Sequence, residues 1–401
     1  MVHFLHEIMY TVQMAPMAIH PERQVVRAAL LCVSFIAHRS LIAQAGSAPD
    51  TTQKGDPPPS LAGFKLTGFA EGSYAYSGRS LGDTTIVGRL YDRLQDRFML
   101  NALTIVLDRP YEPTKLSAGF HAELLVGQDA TMIRSNGFDL GSQADLPHLY
   151  VTLNVPTASG NGVQLKFGRI PTLLGLEVIE TVANPNWSEG NQFIYVENFT
   201  GTGVSVETKF NDHLDAQLRL MNGWDQVGDN NSHKSVMGRV GLSPNAFTSL
   251  GVVGYWGPEE PNDDAKRYGV EGLLWRKLGK TQVWLQGDYG KEQANVALPD
   301  PTRPAAWWAL GGWISYDLSS SVGVALRGDY VNDESGARTS GILGFPANTG
   351  QRFGSATATL NVRAWPDALV RPEVRYDRSA LPAYAGRRDQ VTFALAVAYL
   401  Y

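Results

Sequence analysis

At the C-terminus Val391, Phe393, Leu395, Val397, Tyr399 and Tyr401 occupy every second position, while Thr392, Ala394, Ala396 and Ala398 fill the places between. Side chains of an extended strand point alternately to opposite faces, so this segment reads as a strand with one apolar face and one small or polar face. About ten such residues at ~3.3 Å each, tilted near ~40°, span about 25 Å, the height of the lipid-facing band of a transmembrane barrel. The same template fits fifteen segments upstream, from 64–76 to 369–377, for sixteen strands in all. An even number is what a single-chain bacterial barrel uses. The poorest of them is 98–108, which is apolar on both faces.

The connections between these segments alternate in length. Short ones such as 110–115, 211–213, 243–247 and 317–321 are interleaved with long ones such as 77–97, 127–148, 170–202 and 331–353. An up-and-down barrel inserted from the periplasm has tight turns inside and long loops outside, which a β-sandwich or propeller does not. Tyrosines and tryptophans near the strand ends, among them Tyr76, Trp256, Tyr289, Tyr316, Tyr330 and Tyr376, fit interfacial girdles. The expected fold is therefore an all-β, transmembrane, antiparallel up-and-down barrel of about 16 strands over residues 63–401.

No stretch approaches the roughly 18 to 20 consecutive apolar residues of a spanning helix; the longest candidate is 28–37. That run follows Arg23 and Arg27 and precedes Ala43 and Ala45, small residues suited to signal-peptidase cleavage. Residues 1–45 are read as a cleavable signal peptide, with Met17 an alternative start, and 46–62, which include Pro57 to Pro59, as a periplasmic tether. Cys32, the single cysteine, lies within this leader, so the mature chain has no thiol for a disulfide or a cysteine metal site. A net charge of −5 without basic clusters argues against nucleic acid as a partner.

The strand phase turns charged residues inward: Glu71, Glu123, Lys166, Glu207, Asp215, Arg219, Arg239, Glu271, Asp288, Arg327, Asp329, Arg363, Arg371, Glu373 and Arg375. Charge opposite a lipid-facing row implies a wet lumen, because a charge facing lipid at the midplane costs about 2–4 kcal/mol. The signs are mixed and predict no strong ion selectivity. Arg363, Arg371 and Arg375 read either as a basic ladder on one wall of a constriction or as partners of Glu373 and Asp329. For catalysis the chain after residue 45 offers His121, His148, His213 and His233, without a hydrolase-like nucleophile elbow. The acidic pieces 225–231 and 262–264 lack the ligand spacing of a calcium loop, so neither cofactor nor metal is expected.

The longest connection, 170–202, carries Leu173, Leu174, Leu176, Trp187, Phe193 and Tyr195 and is too apolar for a solvated loop. It is expected to fold into the barrel, with Glu177, Glu180 and Glu189 facing Arg219, Arg239, Arg327 or Arg375. Capping the rim or meeting a neighbouring subunit are the alternatives. Tyr399 and Tyr401 end the last apolar row as a C-terminal signal for the barrel-assembly machinery would.

Phe167 to Thr172, Gly175 to Glu177, Ile179, Glu180, Asn184, Asn186, Thr200 and Gly201, with Asn222 to Asp225, Asp229 to Asn231 and Lys234, resemble the outer-membrane β-barrel family called OmpL-like, or porin-2. The specific blocks lie between Phe167 and Ser235. That family often has Arg where this chain has Glu189, after Ser188, so no anion-binding role is carried over to that position. The resemblance implies an outer-membrane channel. Together these features predict passive diffusion of small hydrophilic solutes through a monomer or homotrimer in outer-membrane lipid. A non-conducting structural or adhesion barrel and an outer-membrane hydrolase are the rival readings.

Overall fold

In a computed structural model the described residues are 60–61, 63–78, 84–158, 160–295 and 298–401. The proposed leader and nearly all of the proposed tether, Cys32 included, lie outside them. Sixteen strands follow one another: β1 Phe64–Ser77, β2 Phe98–Arg109, β3 Ser117–Val126, β4 Ala144–Val155, β5 Val163–Pro171, β6 Thr200–Lys209, β7 Leu214–Trp224 and β8 Ser235–Asn245. Then come β9 Thr248–Pro258, β10 Lys266–Leu278, β11 Thr281–Glu292, β12 Ala305–Asp317, β13 Val322–Asp333, β14 Gln351–Trp365, β15 Ala368–Ser379 and β16 Asp389–Leu400. A two-residue strand, Ser60–Leu61, adds to the start of β1.

Each strand pairs antiparallel with its sequence neighbours, and β16 pairs with β1 through Thr392 opposite Ser77 to Leu400 opposite Phe69, so the sheet closes. Closure pairs the backbone of every strand on both sides, which is what lets a sheet sit in hydrocarbon. The faces are inverted relative to a water-soluble barrel. Along β16, Phe393, Leu395 and Val397 are 54%, 45% and 47% exposed, whereas Thr392, Ala396 and Ala398 are buried. The apolar row faces lipid, and the small and polar row faces in.

Strand β2 explains its own mixed pattern. Glu71 pairs with Ala102 and Gly72 with Leu100, which leaves Asn101 as an extra residue. A one-residue bulge reverses the faces of everything beyond it. Phe98 and Leu100 point out before the bulge, and Ala102 and Thr104 point in after it. The hairpin between β10 and β11 is made by Gly279 and Lys280; Gly279 has φ 63°, which a tight two-residue turn requires and glycine adopts without strain.

Long connections lie at one end of the barrel and short ones at the other. If the long ones face outward, Ser232→Cys and Arg303→Cys, both at exposed positions, will react with an impermeant maleimide on intact cells. Asn245→Cys, at the exposed turn of the opposite end, will react only after lysis. The opposite labelling would invert the orientation.

Candidate functional site

Residues 172–199, between β5 and β6, carry a 3-10 turn at Thr181–Ala183 and the short helix α1, Asn191–Tyr195. Leu173, Leu174, Trp187, Phe193 and Tyr195 are buried. Leu173, Leu174 and Leu176 cluster with Met237, Val253, Leu273, Trp275, Trp284 and Trp313, inward residues of β8 to β12. That apolar inner wall stands beside the inward charges from which a wet lumen is expected. Phe193, Ile194 and Tyr195 join Val331, Phe345, Phe353 and Tyr384. The apolar surface of the segment is thus covered by the barrel's own inner residues and loops, not by solvent.

Hydrogen bonds fasten the segment to both walls. On one side the amide of Gly175 donates to both oxygens of Glu271, at 3.0 and 2.9 Å, and the amide of Leu176 donates to Gln286 at 3.2 Å. On the other, the amides of Trp187 and Asn191 donate to Glu373 and Asp329 at 2.8 and 3.0 Å. Glu71 accepts from the Trp187 indole and the Thr181 hydroxyl, each at 2.9 Å. Arg371 donates to the carbonyls of Thr181 and Asn184 at 2.7 Å. Arg375 donates to the Glu189 carbonyl at 2.6 Å and the Asn191 side chain at 2.8 Å. Arg327 reaches Glu177 at 2.7 Å and also the Ser188 carbonyl, while the Trp313 indole donates to the same Glu177 oxygen at 2.9 Å. Inward carboxylates therefore hold segment amides, and inward guanidiniums hold segment carbonyls and Glu177.

Three sequence expectations need correction. Arg363 does not join a ladder with Arg371 and Arg375: the pairing of β14 with β15 shifts at Arg363, and its guanidinium donates to the Pro366 carbonyl in the turn. Among the described residues Glu180 pairs with no arginine, because its turn lies beside β3 and β4, where His148 Nδ1 is 3.6 Å away. Glu189 presents its carbonyl to Arg375, and its carboxylate accepts from Asn184 at 3.0 Å. Of the remaining inward charges, Lys166 pairs with Glu207 at 2.8 Å, Arg239 pairs with Asp215, and Arg219 donates to the Pro171 carbonyl. Burial, and then the charge of Glu177, hold the Glu189 carboxyl well above the ordinary carboxylate range. Tyr399 faces outward, and the Tyr401 hydroxyl donates to the Thr104 carbonyl at 2.7 Å, beside the seam of β16 and β1.

One group was missed. His148 belongs to β4 and stands directly opposite Glu123, its Nδ1 2.7 Å from Glu123 Oε2. The loop expected over 127–148 ends on His148, although the inward phase of Tyr150, Thr152 and Asn154 includes that residue, one position before the expected start of the strand at Leu149. His121, Glu123 and His148 bring one ligand-type atom each within 4.8 Å of one another. Among the described residues they are the group that could hold a metal.

Asp225 fixes the exit of the segment by accepting from the amides of Phe199 and Thr200 at 2.9 and 2.8 Å. Burial raises its carboxyl, against those amides and the charges of Arg169 and Arg338, to about 6. A carboxyl raised on folding destabilises fully above its folded value and not at all below its unfolded value of 3.8. Asp225 also has φ 54°, which asparagine tolerates. Asp225→Asn will accordingly stabilise the folded barrel by about 1–3 kcal/mol at pH 8 and leave it unchanged near ~pH 3.5. Thermal unfolding in detergent at the two pH values checks this, and equal gains at both would refute the titration.

No curated protein matches the sequence significantly. Among solved structures, the outer membrane channel DcaP of Acinetobacter baumannii superposes with a TM-score of 0.57 at 13% identity, covering 85% of this chain and 99% of that one. OmpF of Salmonella typhi, solved in complex with daunomycin, gives 0.54 at 14% identity, covering 84% and 97%. In vitro folded OmpT of Vibrio cholerae, an outer membrane protein, gives 0.54 at 10%, covering 86% and 100%. These likenesses are to the fold, a closed sixteen-stranded outer-membrane barrel. Residues 63–401 match the family described as "Putative beta-barrel porin-2, OmpL-like". With nearly the whole barrel matched, this outer-membrane chain belongs to that porin family.

Proposed function

We propose that this porin passes small hydrophilic solutes by passive diffusion, through a lumen whose narrowest cross-section is set by residues 172–199. The observation that carries the reading is the fastening of that segment to Glu271 on one wall and to Glu373, Asp329, Arg371 and Arg375 on the other. A strap held at both ends narrows a channel without depending on the outer loops. Asp108, His121, Glu180 and Asp215 face inward and keep 17–26% side-chain exposure, which supports a wet path beside it. Positive Lys166, Arg219 and Arg239 stand next to Glu207 and Asp215, so charge selectivity is weak.

A homotrimer fits the same reading. A trough on the outer face, at Gly272, Gly287, Gly312 and Gly328 and flanked by Val252, Leu310 and Tyr330, suits a neighbouring barrel; OmpT of Vibrio cholerae has a structure described as its trimer form. The test is conductance in planar bilayers across a salt gradient. Stepwise openings with a small reversal potential are expected; a correctly folded protein that gives no steps would be the structural or adhesion barrel instead.

A further inference from the structure

His121 and Glu123 lie two residues apart on the inner face of β3, and the register of β3 with β4 sets His148 opposite Glu123. Here β4 is irregular: Glu123 pairs with His148 but Leu125 with Asp145, so the stretch between contains an extra residue. Pro147, which has no amide hydrogen to lose, sits in that bulge. Both Asp145 and His148 then point inward, and Asp145 occupies Arg169 at 2.8 Å. From the opposite side residues 172–199 bring Glu180, whose carboxyl is 3.6 Å from His148 Nδ1, the atom that also faces Glu123 at 2.7 Å.

Two carboxylates thus meet, and among the described residues no Lys or Arg forms an ion pair with either. Two buried atoms at this point have no hydrogen-bond partner among the described residues: His148 Nε2 and Glu123 Oε1. Their side chains are 6% and 1% exposed. His121 is oriented differently. Its Nδ1 faces Asp108 Oδ1 at 3.3 Å and its ring stacks on Tyr150, with centroids 4.9 Å apart. A carboxylate on one imidazole nitrogen fixes the tautomer that offers the other nitrogen to a metal.

We propose that His121, Glu123, His148 and Glu180 form a site for a borderline divalent cation of the zinc class. Two imidazoles with carboxylates suit zinc and its neighbours, whereas magnesium and calcium favour all-oxygen sets. The ion would neutralise the facing carboxylates, taking His148 through Nδ1, the nitrogen that faces both of them, together with the unpartnered oxygen of Glu123. Because Glu180 belongs to the strap and the other three to the wall, it would also tie residues 172–199 to β3 and β4. The site does not depend on whether the barrel conducts.

The experiment is calorimetric titration of zinc chloride into chelator-treated, folded full-length protein in detergent, with heat-modifiable mobility confirming the fold of each variant. One saturable site per chain is expected, weakened at least ~10-fold by His121→Gln and by Glu123→Gln. It should be unchanged by the double variant His213→Gln/His233→Gln, which removes the histidines of turn and loop, and unaffected by equal magnesium chloride. X-ray absorption of the zinc-loaded wild type should show two imidazoles, a readout that stands even where a variant fails to fold. Overturning results are the absence of a saturable site, loss of binding in the His213/His233 variant, displacement by magnesium, or a zinc shell without imidazole.

Discussion

A chain ending at Gln390 will not appear in the outer membrane as a folded, heat-modifiable band. The missing residues belong to β16, which pairs on one side with β15, from Ala368 opposite Tyr399 to Arg378 opposite Asp389, and on the other with β1. Without them both neighbours present unpaired amides and carbonyls to hydrocarbon, and each such group costs several kcal/mol. The truncation also removes the Tyr399 and Tyr401 row proposed to be read by the barrel-assembly machinery. Phe393→Ala alone, which keeps the backbone ladder, is expected to insert. A folded band from the truncated chain would mean that the seam between β16 and β1 is not what closes the barrel.

Replacing Arg327 will loosen the inner strap without opening the barrel. Arg327 contacts Glu177 and Ser188, donates to Thr357 Oγ1 at 3.1 Å, and lies 3.5 Å from Asp329. Arg327→Met leaves Glu177 and Asp329 buried beside one another without their cation. Removing one partner of a buried ion pair costs about 3–5 kcal/mol, because the other charge stays uncompensated. The amide of Gly190 donates to Glu177 at 2.6 Å and that of Asn191 to Asp329. Their hydrogen exchange should therefore accelerate by about 10²–10³-fold, while amides of β13 and β14 keep their protection. Adding Glu177→Met should recover part of the loss. Uniform exchange across strap and strands would show that Arg327 holds the barrel as a whole.

Much of this architecture is visible in the sequence, because the period of two in segments such as 391–401 leaves an isolated strand only one way to be amphipathic. The alternation breaks where the chain does: Asn101 makes β2 look apolar on both faces, and the bulge at Pro147 hides His148 at the apparent end of a loop. The period-two template assumes an unbroken pleat, so each bulge costs it one face. The apolar character of 170–202 announces that the segment needs a partner, but the sequence left open which of three glutamates meets which of four arginines, and in the structure Glu177 meets Arg327. Other contacts could not be read, since Gly175 meets Glu271 and Arg371 meets Thr181 across 96 and 190 residues of chain. The inner row of Met237, Val253, Leu273, Trp275, Trp284 and Trp313 was hidden for a related reason. The inward phase of Arg239, Glu271 and Asp288 marks these strands as polar inside, and only the leucines of the strap explain why so much of the inward set is apolar.

The most direct measurement is the single-channel conductance of a correctly inserted barrel lacking residues 174–194, set beside that of the full chain. With the strap gone, the inner charges Glu271, Glu373, Asp329, Arg371 and Arg375 line open lumen in place of backbone they now hold. Conductance should rise several-fold, and solutes excluded by the intact protein should enter in liposome swelling. A folded, inserted deletion variant with unchanged conductance and unchanged size exclusion would contradict a constriction formed by residues 172–199.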